Sequence, residues 1–358
     1  MEKREVTALA EQLGRQVDLG KSRRETLGML ITGMISARTV NLSHVACERG
    51  AAGVAVASTY RRHQRFFQHV RLSPDWAAPM IAGLAGGAEK RTLVLDRTNW
   101  KIGETAVNLL VLAVKTRHSQ APLMWTVLPH GGNSATSDRI ALVDRYIALF
   151  GKTSIAMLLG DREFIGADWF NHLMDRDIPF TIRLPHNRIV TQADGRRPRL
   201  SDLITRPRKG RATLARLEDM DRPLHFSAVV PKGREAVIVA TNRPDHDALA
   251  TYRKRWAIES LFGNTKTRGL NFEDTRLADP AKLHLLTAII ALAVSWAARA
   301  ARTVLGQTAP PRKTHGYLGK SYFRTGFDHI RCRLRSNPEA AIPEWLNLKS
   351  NPKIRRVV

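Results

Sequence analysis

The sequence predicts an α/β chain: a mixed sheet flanked by helices, with a helical region ahead of it and a β-rich insertion within it. Three observations lead there. Residues 1 to about 85 show no strand-like alternation. From Arg91 to Leu184, short apolar runs of strand length alternate with helical stretches. From about 185 to 248, turn residues recur and two more strand-like runs follow. At 358 residues the chain is too long for one compact core of ordinary size. It divides at these changes of period into a helical region (1–85), a main α/β domain (86–184 and 249–358) and an insertion (185–248).

The helical region holds Arg23 to Ala37, with Leu27, Met29, Leu30, Ile31, Met34 and Ile35 behind a basic first turn. A short segment from Leu42 to Arg49 follows, Gly50 and Gly53 break the pattern, and a third helix runs from Ala57 to Val70. That third helix places Arg61, Arg62 and Arg65 beside Tyr60, Phe66 and Phe67. Three short helices ending this way fit a helix-turn-helix DNA module, and equally a bundle with a solvated basic edge. Strand-like runs then appear at Thr92–Leu95, Val107–Val114 and Pro122–Leu128, followed by a helix at Ser137–Phe150. A strand at Ser154–Leu159, a helix at Ala167–Met174 and a strand at Pro179–Leu184 complete the series. Three strands, helix, strand, helix, strand is the element order of an RNase H-like core. In the insertion, Phe226–Val230 and Ala236–Ala240 read as strands, and Leu285–Ala298 reads as a buried core helix, too short to span a bilayer.

Composition narrows the function. Hydrophobic residues make up 43% and charged residues 25%, which excludes wholesale disorder. Lys and Arg number 57 against 32 Asp and Glu, a net charge of +25 that draws the chain to a polyanion, with nucleic acid first. Between Arg183 and Arg216 ten cations, Arg206, Arg208, Lys209 and Arg211 among them, face only Asp194 and Asp202, which favours phosphate contact. Cys47 and Cys332 make no CxxC pair, so they read as two small buried hydrophobes. The N-terminus has no apolar signal region, and a cytoplasmic, nucleoid-associated location is expected.

Two aspartates share an address. Asp96 closes LVLD and Asp161 closes LLGD, each just beyond an apolar run, where a rigid strand can hold a carboxylate toward a cleft as a hard-cation site requires. Either one alone is an ordinary turn or strand cap. Farther on, Tyr252 to Lys266 reads as one helix, on which Tyr252, Arg255, Glu259 and Lys266 fall within an arc of roughly 60°. Ala257, Ile258, Leu261 and Phe262 form a separate packing arc. A solvated Arg255–Glu259 pair explains part of this face but leaves Tyr252 and Lys266 unexplained.

The pattern Tyr-x-x-Arg-x-x-x-Glu-x-x-x-x-x-x-Lys resembles the signature of DDE transposases of the insertion-sequence-four family. The resemblance extends to LVLDRTNW around Asp96, GDREFIG around Asp161 and the ASTYRRHQRFF helix, and covers essentially the whole chain. It implies an RNase H-like catalytic core with a β-rich insertion and a helical DNA-binding region. It also implies that Asp96, Asp161 and Glu259 hold two Mg²⁺ ions per active site, with Mn²⁺ as a substitute. Tyr252, Arg255 and Lys266 then grip DNA phosphates near a hairpin at the transposon end. The implied partners are terminal inverted repeats, target DNA and a second copy of the chain in a synaptic homodimer. The alternatives are a transposase-derived DNA-binding protein without catalysis and a nuclease of the same fold with no element to move.

Neighbouring groups receive plainer readings. Glu163 is expected to pair with an arginine, Asp168 to cap a helix, and Glu273 and Asp274 to be loop groups. The family's tryptophan for a flipped base is absent between Trp169 and Trp256, leaving Phe226, His225 or Trp256 for that role. The basic tail with Tyr317, Tyr322 and Phe323 fits DNA contact, dimerisation or a helix with a basic face.

Overall fold

The computed structural model describes residues 3–48, 53–202, 213–230, 232–233, 235–244, 247–306, 308, 310–314, 316, 318–337, 342–346 and 348. Arg49, Gly50, Arg206, Arg208, Lys209, Arg211 and Tyr317, named above, lie outside them.

The N-terminal region is helical: α1 (Lys3–Gly14), α2 (Lys21–Ala37), α3 (Leu42–Cys47), α4 (Val56–His69) and α5 (Ala78–Leu84). Leu27, Leu30, Ile31, Met34 and Ile35 are all buried, and α2 ends where Arg38 turns left-handed at φ 60°. Asn41 caps α3 through its side chain, which accepts from the Ser43 amide. On α4, His63, Phe66 and Phe67 are buried while Arg61 and Arg65 face out.

The sheet begins with β1 (Arg91–Ile102), β2 (Thr105–Lys115) and β3 (Gln120–Leu128), then α6 (Thr136–Phe150), β4 (Ile155–Gly160), α7 (Ala167–Asp175) and β5 (Phe180–Leu184). Next come β6 (Val190–Thr191), β7 (Thr213–Leu217), β8 (Leu224–Val229) and β9 (Val237–Thr241). Among the described residues the strands form one sheet in the order β3-β2-β1-β4-β5-β9-β8-β7-β6. β1 and β2 are an antiparallel hairpin whose two-residue turn puts Gly103 at φ 57°, a conformation that favours glycine. β4 is parallel to β1 and β5 parallel to β4, so the chain crosses over through α6 and α7. The first five strands, with α6 and α7 as crossovers, are consistent with an RNase H-like core. The strands of the 185–248 segment do not form a sheet of their own: β9 pairs antiparallel with β5 and carries β8, β7 and β6 outward.

Two corrections concern length. The sequence marks a strand only at Thr92–Leu95, but β1 runs on to Ile102, because β2 pairs with every residue of its polar half out to Ile102 opposite Thr105. The apolar run at 285–298 is the middle of α10 (Pro280–Leu305), whose 26 residues are long and apolar enough to cross a membrane. The apolar window of α10 is 83% buried inside the protein, against β3, α2, α5 and α11 (Tyr322–Ser336).

The chain between β9 and α10 holds α8 (Ala248–Arg253) and α9 (Ala257–Thr265), and α12 (Pro343–Leu346) follows α11. Trp296 of α10 meets Trp345 of α12 edge to face, ring centres 5.6 Å apart. On α11, Tyr322, Phe323, Phe327, Ile330 and Leu334 are buried, leaving a basic outer face. Cys47 and Cys332 are exposed, contrary to the expectation of burial, because each lies on the solvent side of its helix.

Candidate active site

Asp96 and Asp161 are brought together by strand pairing. In the parallel register Leu95 lies opposite Gly160, so an aspartate follows on each side, Asp96 within β1 and Asp161 just past the end of β4. Asp96 sits mid-way along β1, rather than at its end, and β4 stops beside it. The Asp96 carboxylate accepts from the Arg97 amide (2.7 Å) and that of Asp161 from the Arg162 amide (2.8 Å), which fixes both side chains.

One guanidinium joins them. Arg255 Nη2 donates to Asp96 Oδ2 at 3.1 Å and to Asp161 Oδ2 at 2.8 Å. Tyr252 Oη donates to Asp161 Oδ1 at 3.2 Å, and the Arg255 guanidinium lies 6.0 Å from the Tyr252 ring centre. The segment carrying them is not the continuous helix expected. α8 ends at Arg253, Lys254–Trp256 form a 3₁₀ turn, and α9 starts at Ala257. A 3₁₀ turn winds about 120° per residue and brings side chains three apart toward eclipse, which sets Tyr252 and Arg255 over the same carboxylate.

The other two signature residues belong to the segment after the turn, Glu259 within α9 and Lys266 at its C-terminal end. Glu259 lies in the first turn of α9, exposed, with no hydrogen bond or ion pair to a described residue. No group of three metal-ligating side chains forms among the described residues. Lys266 leaves the helix at its C-terminal end and reaches β1 beyond Asp96. It donates to the Asn99 carbonyl (3.4 Å), pairs with Glu273 (2.7 Å) and sits 5.6 Å from the Trp100 ring centre.

Burial dominates the electrostatics. It lifts the Asp96 carboxyl to about 6, against the lowering effects of Arg255 and the Arg97 amide, and Asp161 and Glu163 add to the rise. Burial also holds the Tyr252 hydroxyl well above its usual value, so it stays a proton donor. Asp96 is thus a desolvated carboxylate that one cation leaves incompletely compensated.

The transposase DDE domain matches residues 87–296, more than half of the chain, a span that contains Asp96, Asp161 and Glu259. The chain belongs to that family. No curated protein sequence matches it.

DDE transposase domains work with divalent metal ions, and two of the three carboxylates here suit one. Asp96 and Asp161 offer oxygen ligands to one point already filled by a positive group, the donor set that a hard cation selects. Glu259 does not complete that set in this arrangement.

Sequence reasoning missed the brace around the two aspartates. The Arg97 guanidinium donates to Glu163 Oε1 (2.9 Å), Asn108 Oδ1 (3.1 Å) and Asn133 Oδ1 (3.3 Å), tying β1 to β2 and to the turn after β4. Asn108, wholly buried, donates to the carbonyls of His130 and Gly132. An asparagine in the otherwise apolar run VNLLVLAV was the available signal. Glu163 pairs with an arginine as expected. Asp168 falls in the first turn of α7 without capping it, the cap position being Gly166. Glu273 pairs with Lys266, and Asp274 accepts from Thr39.

The three α4 arginines separate. Arg61 and Arg65 are exposed, whereas Arg62 binds back to α2 through Thr26 Oγ1 (2.8 Å), the Ser22 carbonyl (2.8 Å) and Glu25 (3.2 Å). Of the aromatics considered for a flipped base, Phe226 is in the core and Trp256 is 66% exposed beside Arg255.

Proposed function

We propose that the chain is a cut-and-paste DNA transposase of the insertion-sequence-four kind, with Asp96, Asp161 and Glu259 as its metal-holding carboxylates. The observation that carries this reading is the convergence of Asp96 and Asp161, from adjoining parallel strands, on Arg255 of the Tyr-Arg-Glu-Lys segment. Glu259 joins the set on its place in that spacing. Asp96, Asp161 and Glu259 would hold two divalent ions, Mg²⁺ or Mn²⁺, whose chemistry there would be to activate a water or 3′-hydroxyl and to stabilise the leaving oxygen.

The remaining roles belong to the chain itself. Tyr252 keeps its proton and offers a neutral donor to a phosphate oxygen, while Arg255 and Lys266 offer charged ones. The Arg97–Glu163–Asn108 brace holds Asp96 and the turn bearing Asp161 in register. Arg61 and Arg65 of α4 face solvent and suit DNA contact, and Trp256 presents an exposed face on which an unpaired base can stack. A homodimer pairs the two transposon ends and resolves a hairpin at each.

The test incubates the purified protein and Mg²⁺ with DNA carrying the ends that flank its natural gene. Asp96→Ala and Glu259→Ala proteins run alongside. Metal-dependent cleavage at those ends with hairpin products, absent from both variants, is the expected result. Tight binding without cleavage in any divalent metal supports the non-catalytic DNA-binding alternative. Cutting that ignores the ends, or survives the substitutions, overturns the site.

A further inference from the structure

A cationic site separate from the two aspartates lies at the N-terminal end of β1. Arg91 opens that strand five residues before Asp96, a separation of about 16 Å along a β-strand. Around it is a pocket of about 320 Å³ walled by Lys90, Arg91, Lys115, Arg117, His118 and Arg302, with no carboxylate in its lining.

The architecture brings these basic side chains together from four places. Lys90 and Arg91 lead into β1, Lys115 and Arg117 lead out of β2, His118 stacks on Tyr322 of α11 (5.1 Å between ring centres), and Arg302 comes from the end of α10. Arg302 donates to the Ala85 carbonyl at 2.9 Å and runs so close to Gly86 that a side chain there would lie 2.6 Å from its Nη1. Lys115 donates to the carbonyls of Thr116 and Arg117, and Arg91 donates to Tyr146 Oη at 3.3 Å. Among the described residues, Lys90, Arg91, Lys115 and Arg302 make no ion pair. His118 Nε2 is buried without a hydrogen-bond partner. The crowding has an electrostatic signature. Burial holds the His118 ring below its usual value, with Arg117, Lys115 and Arg302 adding to it, and burial and Lys254 do the same for Lys115.

Like charges gathered in a concave, partly desolvated wall repel one another, and a multiply charged anion relieves that repulsion. We propose that this pocket is a phosphate-binding site distinct from the aspartate cleft. Its ligand is either a backbone phosphate of duplex DNA or the phosphate groups of a free polyphosphate, since both present the same oxygens to the same donors. The site does not depend on the chain's being an active transposase.

The test uses the full chain and a Lys90→Gln/Arg117→Gln protein, both side chains being exposed and outside the catalytic machinery. Inorganic triphosphate binding is measured by calorimetry, and binding to a random-sequence duplex is measured across a salt series. Arg15→Gln/Lys232→Gln, at two exposed cations remote in sequence from the pocket and given no role in DNA contact, serves as a control for general loss of positive charge. Triphosphate affinity is expected to fall at least about tenfold in the pocket variant and to hold in the control. If DNA occupies the site, the slope of log affinity against log salt also falls by about 2, one released counterion per lost contact. Loss confined to triphosphate assigns the site to a free ligand, and loss confined to DNA assigns it to the duplex. A pocket variant equal to wild type in both assays, or no different from the control, overturns the proposal.

Discussion

Gly326 decides how closely α11 lies on α10. A Cβ at that position would lie 1.8 Å from the Ala297 carbonyl oxygen and 2.5 Å from the Ala301 nitrogen, both backbone atoms that no rotamer change can move. Restoring ordinary contact near 3.4 Å requires the helices to part by about 1.6 Å, enough to forfeit much of the dispersion between facing side chains. Phe323, Phe327, Ile330 and Leu334 are all buried on the same helix. Gly326→Ala gains about 1 kcal/mol in helix propensity, while overpacking costs about 1–3 kcal/mol or more. With backbone on the receiving side the upper end applies, and the net expectation is a loss of about 2 kcal/mol. Thermal unfolding of the two proteins, followed by calorimetry, measures it. Because α11 also carries Tyr322, the stacking partner of His118, near-ultraviolet circular dichroism should change as well. A Gly326→Ala protein that melts at or above wild type would refute the close approach on which the reasoning rests.

Three further outcomes follow from the site and core. With divalent ions chelated, Arg255→Gln leaves Asp96 and Asp161 facing each other without their shared cation, and a loss of about 3–5 kcal/mol in unfolding stability is expected. An Arg255→Gln protein as stable as wild type contradicts the shared pairing. A double-mutant cycle of Arg97→Ala and Glu163→Ala should show a coupling of about 1–3 kcal/mol, since each side chain is largely buried against the other; additive losses would mean that the pair does not act as a unit. His284, partly buried against Trp125, is held down to about 4 from 6.5, mainly by desolvation, so the unfolded chain takes its proton first as the pH falls. Its contribution to stability is complete above pH 6.5 and is lost between 6.5 and 4, about 3 kcal/mol in all. His284→Phe should flatten that part of the stability–pH curve, and an unchanged curve would rule His284 out as its source.

Much of the site was legible because its signals are local. The apolar runs ending at Asp96 and Asp161 mark β1 and β4, and their short length between turn residues separates them from the helices. The spacing of Tyr252, Arg255, Glu259 and Lys266 was equally plain, but its three-dimensional meaning was not. Lys254, Arg255 and Trp256 are all compatible with an α-helix, so nothing in the segment announces the 3₁₀ turn that divides it. The turn coincides with Arg255 reaching carboxylates more than ninety positions earlier in the chain. Arg62 makes the same point on a smaller scale. It looks like its neighbours Arg61 and Arg65 in the sequence, yet α2 packs beside it and consumes its donors.

The sequence by itself determined the element types, the basic character of the chain, the burial of the 285–298 run and the two aspartates as candidates, because propensity, periodicity and net charge are properties of neighbouring residues. Only the tertiary structure decided that Leu95 lies opposite Gly160, that β9 extends the sheet from β5, that Arg97 braces Glu163 and Asn108, and that among the described residues no group of three metal-ligating side chains forms. The same holds for the five cations and the histidine gathered at the foot of β1. Those outcomes depend on strand register and on hydrogen bonds that buried polar groups must complete across long sequence separations, and no local pattern specifies either.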